Sequence, residues 1–357
     1  MKSILVSILA ISSCALGSSP WFTGEKEFEL SGESLSSGDI DVQTYGALFS
    51  GVEREWTVEG GVSFANYRES YVPVLFGSNE TLTEQTLQAN LGVTREWSKE
   101  WSGTLSFSAY DGFSDYRSIW ISEYYRQLFG AFDAYEAPNP NGYSITTGSS
   151  WNYLPGSGTA RLSVFYAEDE IAPGWGFDSA AGIPESGDDT LDTIGSSLTV
   201  DQAVNSWLKT RLILSARDTS DRDVRLGVAN SWAATKGPLS LRVTGGYSEE
   251  SPTFDASYVA AILEWNFMPE WSANIGLRAY QDSGEIQSSG FNALAPPVET
   301  FEIFGGLTWD RGDLAVSAGV GFLESNYDPL SEDNEFFGNL YKDRDWVTLR
   351  LAASYTF

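Results

Sequence analysis

The sequence predicts an all-β protein, a transmembrane antiparallel β-barrel of about sixteen strands, and three observations support this fold class. Stretches of alternating apolar and polar residues recur along the chain, and tryptophans recur beside short turns. After the first residues, no apolar run is long enough for a transmembrane helix. A strand with period-two alternation has one apolar and one polar face, and in a membrane barrel these faces meet lipid and a wet lumen.

The first residues resemble a secretory signal rather than part of the barrel. An apolar run from Ile4 to Ile11 is followed by the small-residue segment Ala15-Leu16-Gly17. We therefore expect residues 1–17 to be a cleaved signal peptide and residues 18–357 to form a single barrel domain. Ile11-Ser12-Ser13-Cys14 is also a loose lipobox, which leaves open a lipidated Cys14.

The composition limits the chemistry that the chain can perform. Cys14 is the only cysteine, so a disulfide framework is excluded, and the chain has no histidine, the usual general base and the commonest metal ligand. We therefore predict no enzyme activity and no cofactor. The net charge of -28 argues against nucleic acid as a partner, because nucleic-acid binding needs basic residues to neutralise phosphates.

Seven short turns divide the chain, and tryptophan flanks most of them. Indole side chains prefer the membrane interface, so tryptophan at successive turns predicts an aromatic girdle at one rim of a barrel. The turns are Glu53 to Glu55, Glu96 to Glu100, Tyr153 to Thr159, Ala203 to Ser206, Ala234 to Pro238, Met268 to Glu270 and Asp310 to Asp313. The tryptophans are Trp56, Trp97, Trp101, Trp151, Trp207, Trp232, Trp265, Trp271 and Trp309.

Alternating strands flank these turns. Leu87, Ala89, Leu91 and Val93 alternate with Gln88, Asn90, Gly92 and Thr94, and the same pattern recurs in the other strands. Seven turns join fourteen strands, and a first strand near Phe28 to Ser34 together with the last strand brings the number to about sixteen. Fourteen or eighteen strands remain open alternatives, because Thr44 to Val52 and Thr190 to Val200 have an ambiguous phase.

The last strand carries a family resemblance. Val347, Leu349, Leu351, Ala353, Tyr355 and Phe357 alternate with polar or small residues. An amphipathic final strand that ends in Tyr355 and Phe357 resembles the closing strand of Gram-negative outer-membrane β-barrels. The resemblance implies location in the cell outer membrane with both termini in the periplasm, and contact with outer-membrane lipid and lipopolysaccharide. It also implies recognition of Phe357 by the barrel-assembly machinery.

Long, acidic connections are predicted at the rim opposite the short turns. The resemblance implies that this rim faces the cell exterior. They are Arg68 to Thr83, Asp111 to Asn141, Glu168 to Asp189, Arg217 to Asp223, Glu249 to Asp255, Asp282 to Glu299 and Glu324 to Arg344. A solvated, mutually repelling fringe is one interpretation, and divalent-cation binding is another. The spacing fits no ordered calcium loop, so no metal ligand is predicted.

The Asp111 to Asn141 connection is a candidate constriction loop, because it is both long and aromatic. Ser122 to Phe132 is predicted to form a short helix with Tyr125, Leu128, Phe129 and Phe132 on one face. The loop is similar in position and length to the third loop of sixteen-stranded porins, which narrows the lumen. Its charged residues are Asp115, Arg117, Glu123, Arg126, Asp133 and Glu136. Packing on a neighbouring loop, or a contact between subunits, is the alternative.

Basic residues at lumen-facing positions are the second functional feature. The candidate pore-lining residues are Arg161, Lys209, Arg211, Arg225, Arg242, Arg278 and Arg350. A basic wall that faces loop carboxylates would create a transverse field across the pore, as in the arginine wall of general porins. The alternative is that these side chains form lumen salt bridges that rigidify the barrel.

The residues favour a porin-like channel for passive diffusion of small hydrophilic solutes, and the resemblance implies a homo-trimer. The main alternative is a non-conducting surface-interaction or adhesin barrel with an occluded lumen. Two or more loops inside the pore would favour that alternative. A transporter for hydrophobic substrates is a weaker candidate, because the inward faces are polar. The transported solute and the sign of the ion selectivity do not follow from the sequence.

Overall fold

The structure is a computed structural model, and it describes residues 25–72, 79–129, 139–178, 183–220, 222–287, 292–293, 295–327 and 340–357. The predicted signal peptide lies outside these residues. No helix in the described ranges is both long enough and apolar enough to cross a membrane.

The described chain forms one helix and eighteen strands, of which two are very short. The barrel strands are β1 (Lys26–Ser36), β2 (Ile40–Glu53), β3 (Trp56–Tyr71), β4 (Glu80–Glu96), β5 (Trp101–Gly112), β6 (Asn141–Leu154), β7 (Gly158–Asp178), β8 (Ile183–Asn205), β9 (Leu208–Thr219), β10 (Arg225–Lys236), β11 (Leu239–Glu250), β12 (Phe254–Met268), β13 (Trp271–Asp282), β16 (Val298–Arg311), β17 (Leu314–Tyr327) and β18 (Arg344–Thr356). The helix is α1 (Tyr116–Phe129), and β14 (Ile286–Gln287) pairs with β15 (Asn292–Ala293) outside the barrel.

Sixteen strands, β1 to β13 and β16 to β18, close into an antiparallel barrel. Each strand pairs with its neighbours in the chain, and β1 pairs with β18 to complete the ring. Lys26 and Phe357 exchange backbone hydrogen bonds of 3.1 and 2.9 Å at the rim that carries the short turns. The prediction of sixteen strands is confirmed, and the alternatives of fourteen and eighteen are excluded.

All seven predicted short turns connect consecutive barrel strands, and they lie together at one rim. Eight of the nine tryptophans near them are exposed on this isolated barrel, from 40% for Trp56 and Trp271 to 61% for Trp97. Trp101 and Trp151 stack across β5 and β6 with ring centroids 5.8 Å apart. Exposed indoles around one rim form the girdle that the sequence predicts.

The predicted alternation separates an apolar outer face from a polar inner face. On β4, Leu87 and Leu91 are more than half exposed, whereas Gln88 and Asn90 occupy the other face and pair with Tyr110 and Ser108 of β5. Exposed leucines and valines recur at the outward positions of most strands. An apolar outer band of this kind is the surface that lipid covers in a membrane barrel.

The opposite rim differs from the prediction in the length of several connections. The Glu168 to Asp189 segment, predicted as a loop, is mostly a hairpin, because β7 continues to Asp178 and β8 begins at Ile183. Continued antiparallel pairing satisfies the backbone hydrogen-bonding groups that a loop would leave to water. An eighth connection at this rim, between β1 and β2, spans only residues 37–39.

Candidate functional site

The strand register assigns all seven predicted basic residues to the inward face. Arg161 pairs with Thr199 and Arg211 with Asp201, and each neighbouring residue on its own strand faces outward. Five of the seven are exposed to the lumen, Arg350 is half-buried and Arg225 is buried; the exposed ones are Arg161, Lys209, Arg211, Arg242 and Arg278. Their contribution to permeation stays a prediction.

Several of these residues have polar partners on neighbouring strands. Arg211 Nε donates to Asp201 Oδ1 over 2.7 Å, and Arg161 Nε donates to Ser150 Oγ over 3.0 Å. Arg278 and Arg350 both form ion pairs with Glu302. The inner wall therefore contains the salt bridges of the alternative interpretation, while Arg211 and Arg278 remain about half exposed.

The predicted helix is present, but it begins at Tyr116 rather than Ser122. Asp115 caps its first turn: the Ser118 backbone N–H donates to Asp115 Oδ1 over 3.0 Å. Aspartate is a preferred N-cap residue, so Asp115 is the sequence signal that would have indicated the correct start. The predicted face of Tyr125, Leu128, Phe129 and Phe132 lies outside the side chains that the structure describes.

The helix packs into the lumen against β3. The fully buried Trp120 donates its indole N–H to Tyr67 Oη over 2.6 Å and to Glu69 Oε2 over 2.9 Å. Tyr67 and Glu69 are also fully buried, and both occupy inward positions of β3. The alternation of inward and outward residues along β3 would have placed both side chains in the lumen, but they were not among the predicted site residues.

Arg344 on β18 joins the helix to two strands. Its guanidinium donates to Asp39 Oδ2 over 3.2 Å and to Glu69 Oε1 over 3.0 Å, and it lies 4.6 Å from the Trp120 ring centroid. Although burial alone would raise it, hydrogen bonds from Arg344 and Lys342 lower the pKa of the Asp39 carboxyl to about 2. These contacts form a charge-paired cluster of β3, β18, α1 and the β1–β2 turn.

The charged residues of α1 are paired with the wall or with each other. Arg117 Nη1 donates to Asp282 Oδ2 of β13 over 3.1 Å. Arg126 donates to Glu123 over 2.7 Å and to Glu80 over 3.0 Å, and the Tyr71 hydroxyl also donates to Glu123. The other two predicted loop residues, Asp133 and Glu136, lie outside the described residues.

A second buried cluster extends from the β13–β16 connection to β10 and β11. Glu285 contacts Arg225, whose Nη2 also donates to Glu250 over 3.0 Å, and Arg222 Nε donates to Glu250 over 2.8 Å. Burial, partly offset by Arg225, raises the pKa of the Glu285 carboxyl to about 8. Sequence reasoning missed Glu285, because residues in a connection have no strand parity.

An aromatic cluster completes the packed end of the barrel. Trp120 contacts Tyr327 and Tyr341 edge-on, with ring centroids 5.7 and 5.1 Å away, and the Tyr341 hydroxyl donates to the Arg117 carbonyl over 3.0 Å.

Inward positions near the long-loop rim are buried on many strands, among them Ile40, Tyr67, Thr86, Tyr110, Ala167, Asp169, Thr193, Arg225, Phe254, Val298 and Trp346. Thus α1, residues 283–285 and residues 340–341 converge on the long-loop end of the lumen.

The chemistry of these clusters is that of ion pairs and hydrogen bonds. Across the described part of the chain, no group of three or more Asp, Glu, Cys or His side chains is arranged to hold a metal ion. The clusters fasten chain segments to the inner wall and leave the mid-depth wall with exposed basic, acidic and hydroxyl groups.

Comparison with known proteins relates this architecture to solved barrels. No protein-family model and no curated protein match the chain. CdiB from Acinetobacter baumannii matches 93% of the chain with a TM-score of 0.58 and 10% identity, and the chain spans 60% of the CdiB chain. A low-pH structure of Pseudomonas putida OprB has a TM-score of 0.50 at 8% identity, with 98% of this chain and 96% of that chain covered.

A bacterial polysaccharide outer membrane secretin also has a TM-score of 0.50 at 8% identity, over 93% of this chain and 98% of that chain. Similarity at such low identity defines a fold rather than an activity. The chain therefore shares the fold of these outer-membrane β-barrels. It has sixteen strands and a helix packed inside its lumen.

Proposed function

We propose that the protein is a porin-like channel of the outer membrane for passive diffusion of small hydrophilic solutes. The observation that carries the proposal is the polar mid-depth wall of the lumen, where Arg211, Arg278 and Glu33 are 55%, 51% and 44% exposed. Charged side chains that line a wet pore select solutes by their field. In this proposal the channel itself has no enzymatic role.

The short-turn rim faces the periplasm with both termini, and the long connections face the cell surface and lipopolysaccharide. This orientation follows the usual arrangement of outer-membrane barrels, with short periplasmic turns and longer external loops. A homo-trimer in outer-membrane lipid and assembly through Phe357 belong to the same proposal.

The packed end makes this a narrow channel rather than a wide pore. The helix α1 and the segments 283–285 and 340–341 cover the inner wall near the long-loop rim. A solute can therefore enter only through the space between these segments, or after one of them has moved. The same convergence favours the second candidate function, a non-conducting barrel that uses its surface loops for interactions.

Single-channel recording in planar bilayers separates the two functions. We expect small, stable conductance steps for the wild type. A variant in which a short Gly-Ser linker replaces residues 115–139 should give larger steps, because it lacks α1. If neither folded protein conducts, the channel proposal fails and the non-conducting barrel is the better account.

Reversal potentials across a salt gradient test the basic wall. Arg211→Gln removes a lumen charge and should shift the selectivity toward cations. Arg95→Gln is the matched control, because Arg95 lies on the outer face near the short turns and over the Trp56 ring. Equal shifts in both variants would contradict a role for the lumen arginines in selectivity.

A further inference from the structure

A second polar site lies at mid-depth, away from the packed end. It is a lumen cavity of about 360 Å³ between β13, β16, β17, β18 and β1, lined by Asn274, Phe304, Glu33 and Arg350 among others. Gly306 and Gly319 form part of its floor. Glycine leaves the backbone without side chains there, which makes the wall locally concave.

Phe304 is an aromatic side chain at an inward position, where polar groups prevail. Its ring lies over Gly276 of β13, and a Cβ atom at Gly276 would overlap the ring. The Arg278 and Arg350 guanidinium carbons lie 4.9 and 5.7 Å from its centroid. The ring is therefore held in place and half-exposed, with two guanidinium groups close to it.

The charges of the site cancel. Glu302 pairs with Arg278 over 3.4 Å and with Arg350 over 2.9 Å, and Arg350 also pairs with Glu33 over 3.4 Å. Arg350 and Glu33, the two charged residues that line the cavity, thus have opposite signs, and Arg278 and Glu302 beside them add one charge of each sign. Glu302 is nearly buried and pairs with both arginines, whereas the partly exposed Arg350 and Glu33 offer a donor and an acceptor to the cavity.

We propose that this cavity is a binding subsite for a neutral polyhydroxylated solute, that is, a sugar. A sugar ring has apolar C–H groups on its faces, which pack on an aromatic ring, and hydroxyls at its edge, which need both donors and acceptors. The cavity supplies an aromatic platform with a few convergent polar groups, the usual composition of a small-molecule site. A charged solute gains no net attraction, because the two charge signs are balanced.

The inference rests on the proposed function, in that it names the solute class that the channel accepts. A purely structural role for these residues, joining β13, β16, β18 and β1 through Glu302, would require no affinity for sugar. Binding therefore distinguishes the two roles.

The test is isothermal titration of the purified, folded barrel in detergent with glucose and sucrose, and with gluconate and glucosamine as charged analogues. We expect weak binding of the neutral sugars, with a Kd of about 1 mM, and weaker binding of both charged analogues. Phe304→Leu keeps an apolar side chain over Gly276 but removes the ring, and it should weaken binding about tenfold. Phe304→Tyr keeps the ring and should bind as the wild type does.

Phe165→Leu is the matched control. Phe165 is an inward-facing ring that covers Gly195 on the opposite wall, outside the proposed subsite. It should leave the affinity unchanged. The proposal is overturned if folded wild-type protein binds neither glucose nor sucrose, if gluconate binds more tightly than glucose, or if Phe304→Leu and Phe165→Leu have equal effects.

Titration needs no ion current, so the two proposals fail separately. Sugar binding by a barrel that does not conduct would support the subsite and reject the channel. Conductance without sugar binding would support the channel and reject the subsite.

Discussion

At the scale of single residues, Arg344 contacts several segments of the packed end at once. Its side chain is 2% exposed, and it donates to Asp39, to Glu69 and to the Leu340 carbonyl. A buried carboxylate such as Glu69 is stable only while its partners remain, since an unpaired charge in a low-dielectric site is costly.

Arg344→Met should therefore destabilise the folded barrel by about 3–5 kcal/mol, the usual cost of removing one partner of a buried pair. Equilibrium urea unfolding in lipid vesicles measures the change in the free energy of unfolding. Lys342→Met is the control, because Lys342 pairs with the same Asp39 but is half-exposed. Its effect should not exceed about 1 kcal/mol, and equal losses in the two variants would contradict the role assigned to burial.

At the scale of elements, α1 and the β13–β16 connection are held to the wall by side chains and not by strand pairing. The helix relies on Trp120 and Arg117, and the connection on Glu285. Gly284 has a φ of +115°, a backbone conformation that favours glycine, at the turn that leads into Glu285. We expect segments that are held only by side chains to open more readily than the hydrogen-bonded barrel wall.

The protonation of Glu285 should control how firmly that connection is docked. Its pKa is about 8 when docked, compared with about 4.3 for a solvated glutamate. Docking is then most favourable below about pH 4 and weakens as the pH rises through 8. We expect single-channel conductance to increase as the pH rises from about 4 through about 8, the window between the two pKa values.

Glu285→Gln should remove most of that pH dependence and keep the conductance low. Glu299→Gln, at an outward position of β16, should behave as the wild type. An unchanged pH profile in Glu285→Gln would show that another group controls the opening.

At the scale of the whole molecule, one rule of alternation organises the barrel into a lipid face and a lumen face. Leu91 faces outward, and the adjacent Asn90 faces the lumen. An arginine on the lipid face near the membrane midplane costs about 2–4 kcal/mol, whereas lumen positions tolerate charge.

Leu91→Arg should therefore reduce the free energy of unfolding in lipid vesicles by about 2–4 kcal/mol, and Asn90→Arg by less than about 1 kcal/mol. The two variants add the same charge to the same strand. A reversed order would contradict the assignment of faces.

The last residue provides a second prediction at this scale. The Phe357 ring stacks on Tyr355 at a centroid distance of 5.8 Å, and its backbone closes the barrel onto Lys26. Deletion of Phe357 should slow folding into vesicles that contain purified barrel-assembly machinery. In vesicles without the machinery, the deletion should fold at nearly the wild-type rate. Equal slowing in both would indicate a structural role instead of recognition.

The barrel, its sixteen strands, its seven short turns and its tryptophan rim could all be predicted from the sequence. These features are local: each residue faces lipid or lumen according to its parity, and each turn joins neighbours in the chain. The inward or outward phase of Thr44 to Val52 was ambiguous, because Tyr45 and Leu48 are both apolar and lie on opposite faces of the strand. The pairing of β2 with β1 and β3 shows that Tyr45 faces outward.

The contacts that fill the long-loop end of the lumen could not be predicted from the sequence, because they join distant parts of the chain. Arg344 meets Asp39 across 305 positions of the chain, and Arg117 meets Asp282 across 165. No periodicity relates residues so far apart. They meet because closure of the barrel brings the ends of distant strands to one rim, where buried charges are stable only with partners of opposite sign.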